Sequence, residues 1–280
     1  MKTSSPRMIR VGDVELCVDR KGRGQPVLCL TAIGHDAQDF DALADLLGDR
    51  FAFIRLEWPG HGRSGPDTQP VSAARYAELL DRLVPALNLE NPIIIGNSIG
   101  GAAGLIYASH RPVRGLVLCN SGGLVEFSSK VARFCRLFER FFAAGERGAF
   151  WYGPLFALYY RMVLPSRRAA AQRRRIVSAG YRLAPLLREG WASFGRREAY
   201  LGPLVEPLDV PVWIAWARRD KVIPLDLCRP TIARFRHGRL STFDAGHSAF
   251  LEQPEAFAQE FAAFAETLPA STPNLSFAIG

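Results

Sequence analysis

The stretch Pro92-Ile93-Ile94-Ile95-Gly96-Asn97-Ser98-Ile99-Gly100-Gly101-Ala102-Ala103-Gly104 runs from β-branched residues, through a glycine-flanked serine, into a series of small residues. Consecutive isoleucines suit a strand covered on both faces, and the small residues after the serine suit a tightly packed helix. A G-x-S-x-G pattern between two such elements implies a sharp turn that holds its central residue in a strained backbone conformation. Glycine at positions 96 and 100 removes side chains that would collide across the bend. The turn would raise the Ser98 hydroxyl above the end of a sheet, and the helix start behind it favours developing negative charge. Ser98 is therefore the candidate nucleophile.

Working outward, strand-like runs recur at Val14–Val18, Val27–Thr31, Phe51–Leu56, Pro92–Gly96, Gly115–Asn120, Val210–Trp216 and Arg239–Phe243. Helical patterns fall between or after them at Ala37–Leu47, Ser72–Leu87, Ile99–His110, Leu225–Phe235 and Glu252–Leu268. This alternation predicts an α/β fold, a mostly parallel central sheet flanked by helices. The rhythm breaks between Ser121 and Val205, where helical, aromatic and arginine-rich sequence carries no convincing core strand. That segment holds 14 Arg and one Lys against five Glu, a formal +10, so the rest of the chain sums to −2 and the net +8 belongs to this segment. Residues 121–205 are expected to form a helical cap over the carboxyl ends of the strands, where open α/β sheets bind ligands. Residues 1–120 and 206–270 would then form a discontinuous core, and 271–280 a loose tail.

A serine nucleophile requires a base to take its proton and an acid to orient that base. Val212-Trp213-Ile214-Ala215-Trp216 is a late strand, and Ala217-Arg218-Arg219-Asp220 leaves its end, which makes Asp220 the candidate acid. One strand later comes Asp244-Ala245-Gly246-His247-Ser248, and among the five histidines (35, 61, 110, 237, 247) only His247 has this placement. The chain order is nucleophile, acid, base.

Four blocks in this order resemble the α/β-hydrolase fold superfamily, in its capped esterase, lipase and epoxide-hydrolase-like branch. Glu57-Trp58-Pro59-Gly60-His61-Gly62-Arg63-Ser64 is similar to the D-x-x-G-x-G-x-S segment, with Glu57 in place of Asp in a structural role. Gly96–Gly100 matches the nucleophile elbow, Arg218–Pro224 the acid loop, and Gly246-His247 with Glu252-Gln253-Pro254 the histidine block. The likeness covers roughly residues 8–120 and 206–268. It implies an oxyanion hole formed by the amides of Ile99 and Ile33, the latter on Thr31-Ala32-Ile33-Gly34-His35, where relatives often carry H-G-x. Ala32 replaces a glycine there. His61 is expected to belong to the turn of its own motif, His35 to sit near substrate, and Arg218 and Lys221 to be solvated.

Within the cap, Phe134, Leu137, Phe138 and Phe141 share helical spacing while Arg133, Arg136 and Arg140 take another face, which predicts an amphipathic helix packed on its own domain. The run Ala149–Leu164 is more aromatic than packing alone requires, and part of it is expected to line an apolar pocket above Ser98. The arginines suit an anionic substrate group, an acidic acyl carrier or anionic lipid. A ratio of 31 Arg to 4 Lys is also what a GC-rich bacterial genome encodes. No nucleic-acid motif accompanies the charge.

Composition sets the remaining bounds. A chain of 280 residues that is 48% hydrophobic can bury one large core. No apolar run reaches the roughly 18 residues of a membrane span, and Met1–Arg10 lacks the apolar region of a secretion signal, so a cytoplasmic protein without a transmembrane segment is expected. Cysteines 17, 29, 119, 135 and 228 are widely spaced and form no C-x-x-C, in keeping with a reducing compartment. No His or Cys pair has ligand spacing, so neither metal nor cofactor is expected. The resemblance implies a serine hydrolase acting on a carboxylic ester, or a related acyl bond, of a largely apolar, acyl or aromatic small-molecule substrate. Two alternatives remain at this level. The residues Gly96–Gly101 are similar to those of carbon–carbon bond hydrolases that cleave meta-cleavage products, although their S-G-P-G loop pattern is missing. The other is a hydrolase-fold ligand-binding protein with little turnover.

Overall fold

The computed structural model describes residues 5–269, so the tail expected at 271–280 lies outside the described residues. In chain order, β1 (Arg7–Val11) and β2 (Val14–Gly22) form a hairpin, closed at Gly12 by a backbone with φ of 61°. There follow β3 (Gln25–Leu30), a 3₁₀ turn (Ala37–Phe40), α1 (Asp41–Leu47), β4 (Phe51–Glu57), α2 (Ala73–Ala86), β5 (Ile93–Asn97), α3 (Ile99–Ala108) and β6 (Gly115–Cys119). Five helices come next: α4 (Ser129–Glu146), α5 (Tyr152–Val163), α6 (Ala170–Ser178), α7 (Gly180–Phe194) and α8 (Gly202–Val205). The chain then returns through β7 (Val212–Ala217), α9 (Leu225–Ile232), β8 (Gly238–Phe243), α10 (Ala249–Glu252) and α11 (Pro254–Glu266). The eight-stranded sheet has the order β1-β2-β4-β3-β5-β6-β7-β8, antiparallel at β1/β2 and β2/β4 and parallel elsewhere. This is the α/β-hydrolase architecture expected from the sequence.

Alternation along the central strands explains the layering. Leu28, Leu30, Ile94, Leu116, Leu118, Ile214 and Trp216 point to one side, where Leu80, Leu83, Ala103 and Leu105 of α2 and α3 cover them. Their neighbours Val27, Cys29, Ile93, Ile95, Val117, Cys119, Trp213 and Ala215 point to the other, against Phe257, Phe261 and Phe264 of α11. A strand buried on both faces has no polar positions, which is why these runs read as continuously apolar. Cys29 and Cys119 serve here as small hydrophobes, and all five cysteines are free and buried.

Besides shifts of a few residues at element ends and a 3₁₀ turn that opens the helix expected over Ala37–Leu47, two differences from the sequence reading stand out. Arg7–Val11 is a strand, although Arg7, Met8 and Arg10 are exposed, because an edge strand needs only one apolar side. The helix expected over Glu252–Leu268 is interrupted: Gln253 leaves the helical conformation (φ −133°, ψ 59°), and Pro254 opens α11, where a missing N–H costs nothing.

Parallel register aligns the carboxyl ends of the central strands. Asn97 lies opposite Cys119, Cys119 opposite Ala215, and Ala217 opposite Phe243. The loops leaving β5, β6, β7 and β8 therefore emerge side by side. Helices α4–α8 close over this edge, joined to it by hydrogen bonds from Val71 N to Glu189 (3.1 Å) and from Ser166 N to Glu252 (3.1 Å). An Arg175–Asp36 pair at 3.3 Å makes a further link.

Candidate active site

Ser98 has φ 54° and ψ −118°, a conformation that non-glycine residues adopt only when the surroundings impose it. Its amide donates to Cys119 O (3.1 Å), and its carbonyl accepts from Gly122 (2.9 Å) and Ala102 (3.1 Å), which locks both sides of the strained residue. The flanking glycines are sterically required. A Cβ on Gly96 would lie 2.5 Å from Gly100 O, and one on Gly100 would lie 2.5 Å from Leu30 O and 2.7 Å from Thr31 O. The second contact shows how closely the start of α3 approaches the end of β3. It brings the loop carrying Ile33 next to the turn carrying Ile99.

Asp220 accepts four hydrogen bonds. Oδ1 takes the amides of Val222 (2.7 Å) and Ile223 (3.1 Å), while Oδ2 takes Asn120 Nδ2 (2.6 Å) and faces His247 Nδ1 at 2.8 Å. Such a carboxylate is fixed in direction by its donors. An acceptor oxygen facing Nδ1 favours the tautomer that carries its proton there, leaving the Nε2 lone pair to act as base. Asn120, with φ of 43° at the end of β6, is itself oriented by Ala217 N donating to its Oδ1 (2.9 Å).

The histidine loop is anchored from two directions. Glu252 Oε1 accepts the amides of Gly246 (2.8 Å) and His247 (3.2 Å), and its other oxygen takes Ser166 N from the inserted segment. Burial pushes the Glu252 carboxyl up, against the lowering effect of these amides. On the opposite side, Asn97 Nδ2 donates to His247 O (3.1 Å) and Cys119 O (2.9 Å), while Ser248 Oγ donates to Asn97 Oδ1 (2.9 Å). Ser98, Asp220 and His247 are all buried, and Ser98 Oγ makes no hydrogen bond to the imidazole among the described residues. Catalytic contacts of this kind often tighten only when substrate is present.

The loop carrying Ile33 is held from the Glu57–Ser64 segment. His61 Nε2 accepts the Gly34 amide at 2.8 Å, its Nδ1 donates to Pro59 O at 2.9 Å, and Trp58 Nε1 donates to Thr31 O at 2.9 Å. Burial lowers His61 to about 4, so the ring is neutral at neutral pH, as its acceptor role requires. Glu57 closes the same turn by accepting Arg63 N (2.7 Å). Among the described residues neither the Ile33 nor the Ile99 amide is engaged in a hydrogen bond, which leaves both free to donate.

Comparison with known proteins places this arrangement. The family model described as alpha/beta hydrolase family matches residues 27–260. The chain belongs to the alpha/beta hydrolase family. It is 27% identical over 275 residues to an uncharacterised protein of Mycobacterium tuberculosis (strain ATCC 25618 / H37Rv), covering 88% of this chain and 76% of that protein. A 2-hydroxy-6-oxo-6-(2'-aminophenyl)hexa-2,4-dienoic acid hydrolase of Metapseudomonas resinovorans is 32% identical over 126 residues, 42% of this chain and 43% of its own length. Among solved structures, an esterase from Exiguobacterium antarcticum superposes with a TM-score of 0.79 at 16% identity, covering 93% of this chain and 99% of that one.

Other residues of this hydrolase-family chain depart from their sequence-level reading. His35 is buried, and its Nδ1 meets Asp39 Oδ2 at 2.6 Å; burial pushes the Asp39 carboxyl up while His35 opposes the rise. The aromatic run of the cap splits between two faces. Tyr152, Phe156 and Tyr160 turn inward, the Tyr160 ring lies 5.9 Å from His35, and burial next to Asp220 pushes the Tyr159 hydroxyl up. Trp151, Leu155, Leu158 and Met162 face outward and are exposed. Leu137 of α4 is exposed, and Phe134, although partly exposed, lies edge-on to Phe138 (5.0 Å) and Trp191 (5.7 Å). Arg218 and Lys221 are exposed, as expected. Among the described residues no group of three or more His, Cys, Asp or Glu side chains is placed to hold a metal ion. Asn97, Asn120 and Glu252 went unread as site residues. Their only signal in the sequence is position, one residue before the serine, one after a strand, and five after the histidine.

Proposed function

We propose that the protein is a serine hydrolase that cleaves carboxylic esters of largely apolar small molecules. The observation that carries this reading is the buried His247–Asp220 hydrogen bond of 2.8 Å, taken together with a serine held at φ 54° on the turn before α3. His247 Nε2 would take the proton of Ser98 as Oγ attacks the substrate carbonyl. Asp220 would hold the imidazole and stabilise its cation. The amides of Ile33 and Ile99 would receive the oxyanion, a contribution worth on the order of 100-fold or more in rate per donor. His247 would then protonate the leaving alcohol, and water would repeat the cycle on the acyl-enzyme. Residues 121–205 would act as a cap whose inner aromatic face, including Tyr159 and Tyr160, meets the substrate.

The carbon–carbon hydrolase reading draws on the Metapseudomonas relative, which is 32% identical over 126 residues. One experiment separates the possibilities. Wild-type protein and Ser98→Ala are treated with a fluorophosphonate, then assayed on p-nitrophenyl esters of increasing chain length and on a dienoate diketone. Labelling confined to wild type, with sustained ester turnover, supports the proposal. Turnover of the diketone alone moves the assignment to carbon–carbon cleavage. An unlabelled Ser98 in folded protein, or binding without turnover, overturns it.

A further inference from the structure

Helix α5 is apolar on both sides. Between Tyr152 and Val163 its only charged residue is Arg161. The inner stripe, Tyr152, Phe156, Tyr160 and Val163, is buried. An outer stripe, Trp151, Leu155, Leu158 and Met162, follows the same helical spacing and is exposed, Leu158 at 55%. A helix hydrophobic all round normally lies inside a protein or against lipid. The patch extends beyond α5. Phe150, in the turn before it, is 88% exposed, and on α4 Phe134 and Leu137 are exposed, Leu137 at 64%. The two helices run antiparallel, since Phe141 meets Tyr152 (5.0 Å) and Phe138 meets Tyr159 (5.4 Å), and Trp151 of the outer stripe lies 6.2 Å from Phe141 of α4.

The charges around this surface have one sign and are unspent. Arg133, Arg136, Arg140, Arg147 and Arg161 are exposed on α4, the connecting turn and α5, and among the described residues none of them forms an ion pair. By contrast Arg168, Arg175 and Arg188, elsewhere in the insertion, are each paired with a carboxylate. The carboxylates of α4 are Glu139, which is half-buried, and Glu146, which is already engaged by Arg188.

We propose that the outer face of α4 and α5 docks on an anionic lipid surface. Bulky apolar side chains would enter the acyl boundary while arginines, whose stems can lie along apolar surface, keep their guanidinium groups among anionic headgroups. A second copy of the chain fits poorly, because a two-fold contact would set five unpaired arginines against their own equivalents. A folded acidic partner needs directional hydrogen bonds across the interface, and the outer face of α5 offers only Arg161. The inner side of the same helix carries Tyr159 and Tyr160 towards Asp220 and Gly34, so docking would place the roof of the candidate site against the lipid.

Trp151 is a built-in reporter, since the other four tryptophans (58, 191, 213, 216) are buried. The full chain is mixed with phosphatidylcholine vesicles or with phosphatidylcholine–phosphatidylglycerol vesicles, at low and high salt. Binding is read by co-sedimentation and by tryptophan emission. The expected result is retention on the anionic vesicles with a blue shift, at least ~10-fold weaker on phosphatidylcholine alone and weakened by salt. Leu155→Asp with Leu158→Asp should abolish retention and shift while circular dichroism and melting stay unchanged. Arg136→Glu with Arg140→Glu should remove the preference for anionic lipid. Failure of the wild type to bind anionic vesicles overturns the proposal, as does equal retention of the Leu155/Leu158 variant. A vesicle-free dimer dispersed by that same variant would assign the patch to a second copy instead.

Discussion

Asn97 Nδ2 donates to His247 O at 3.1 Å, joining the residue before Ser98 to the backbone of His247 across 150 positions of sequence. The same side chain holds Cys119 O and receives Ser248 Oγ, so one buried amide sets the spacing of two loops. Asn97→Ala should cost about 2–3 kcal/mol, because buried groups lose their partners. It should also lower kcat roughly 10-fold with KM little changed, since base and nucleophile lose a common reference. Urea melts with steady-state kinetics on the best ester check both; wild-type kcat in the variant would remove Asn97 from the positioning network.

His61 makes stability depend on pH. Its ring is held at about 4 by burial, against 6.5 when exposed, so below 6.5 the unfolded chain binds a proton that the folded one refuses. The contribution is complete above 6.5 and declines as pH falls toward 4, a loss of about 2 kcal/mol at pH 5. His61→Gln cannot titrate. Urea midpoints at pH 7.5 and 5 should therefore fall more for wild type than for this variant, and parallel falls would contradict the assignment.

Glu252 is the sole side-chain acceptor for three amides, those of Gly246, His247 and Ser166. Glu252→Ala strands all three near buried surface and should cost about 3 kcal/mol. Because one of them belongs to the inserted segment, protease cutting near 165–169 should also accelerate. Thermal melting and limited proteolysis followed by mass spectrometry test this.

Gly100 and Gly65 should respond oppositely to alanine. A methyl at Gly100 meets two backbone oxygens that cannot yield, so Gly100→Ala should destabilise by about 3 kcal/mol or more and erase activity. At Gly65 the nearest atom to a new Cβ is 3.5 Å away, and Gly65→Ala should stay within about 1 kcal/mol of wild type. Melting temperatures of the two variants settle the comparison.

Much of the fold was legible because its information is local. The central strands announce themselves by unbroken apolar runs, and the elbow by glycines whose absent side chains are required within a few residues of Ser98. Asp220 and His247 were found by where strands end, a property that parallel register converts into proximity. The network around them was not legible. Asn97 and Asn120 carry no mark of a role in the sequence, and His61 and Glu252 stand there only as members of motif blocks; each gains its partners only by folding, as Asn120 meets Asp220 across 100 positions.

The inserted segment 121–205 shows the division most clearly. Its helical character, its aromatic content and its +10 charge were all determined by the order of residues in 121–205. Which apolar stripe would be buried was not, because α5 offers two of similar hydrophobicity on opposite sides. The choice depends on what α4, α7 and the strand ends present to that helix. Tertiary packing used Tyr152, Phe156 and Tyr160 and left Trp151, Leu155, Leu158 and Met162 facing outward. Burial is a contest between surfaces, and a single helix does not contain its competitor.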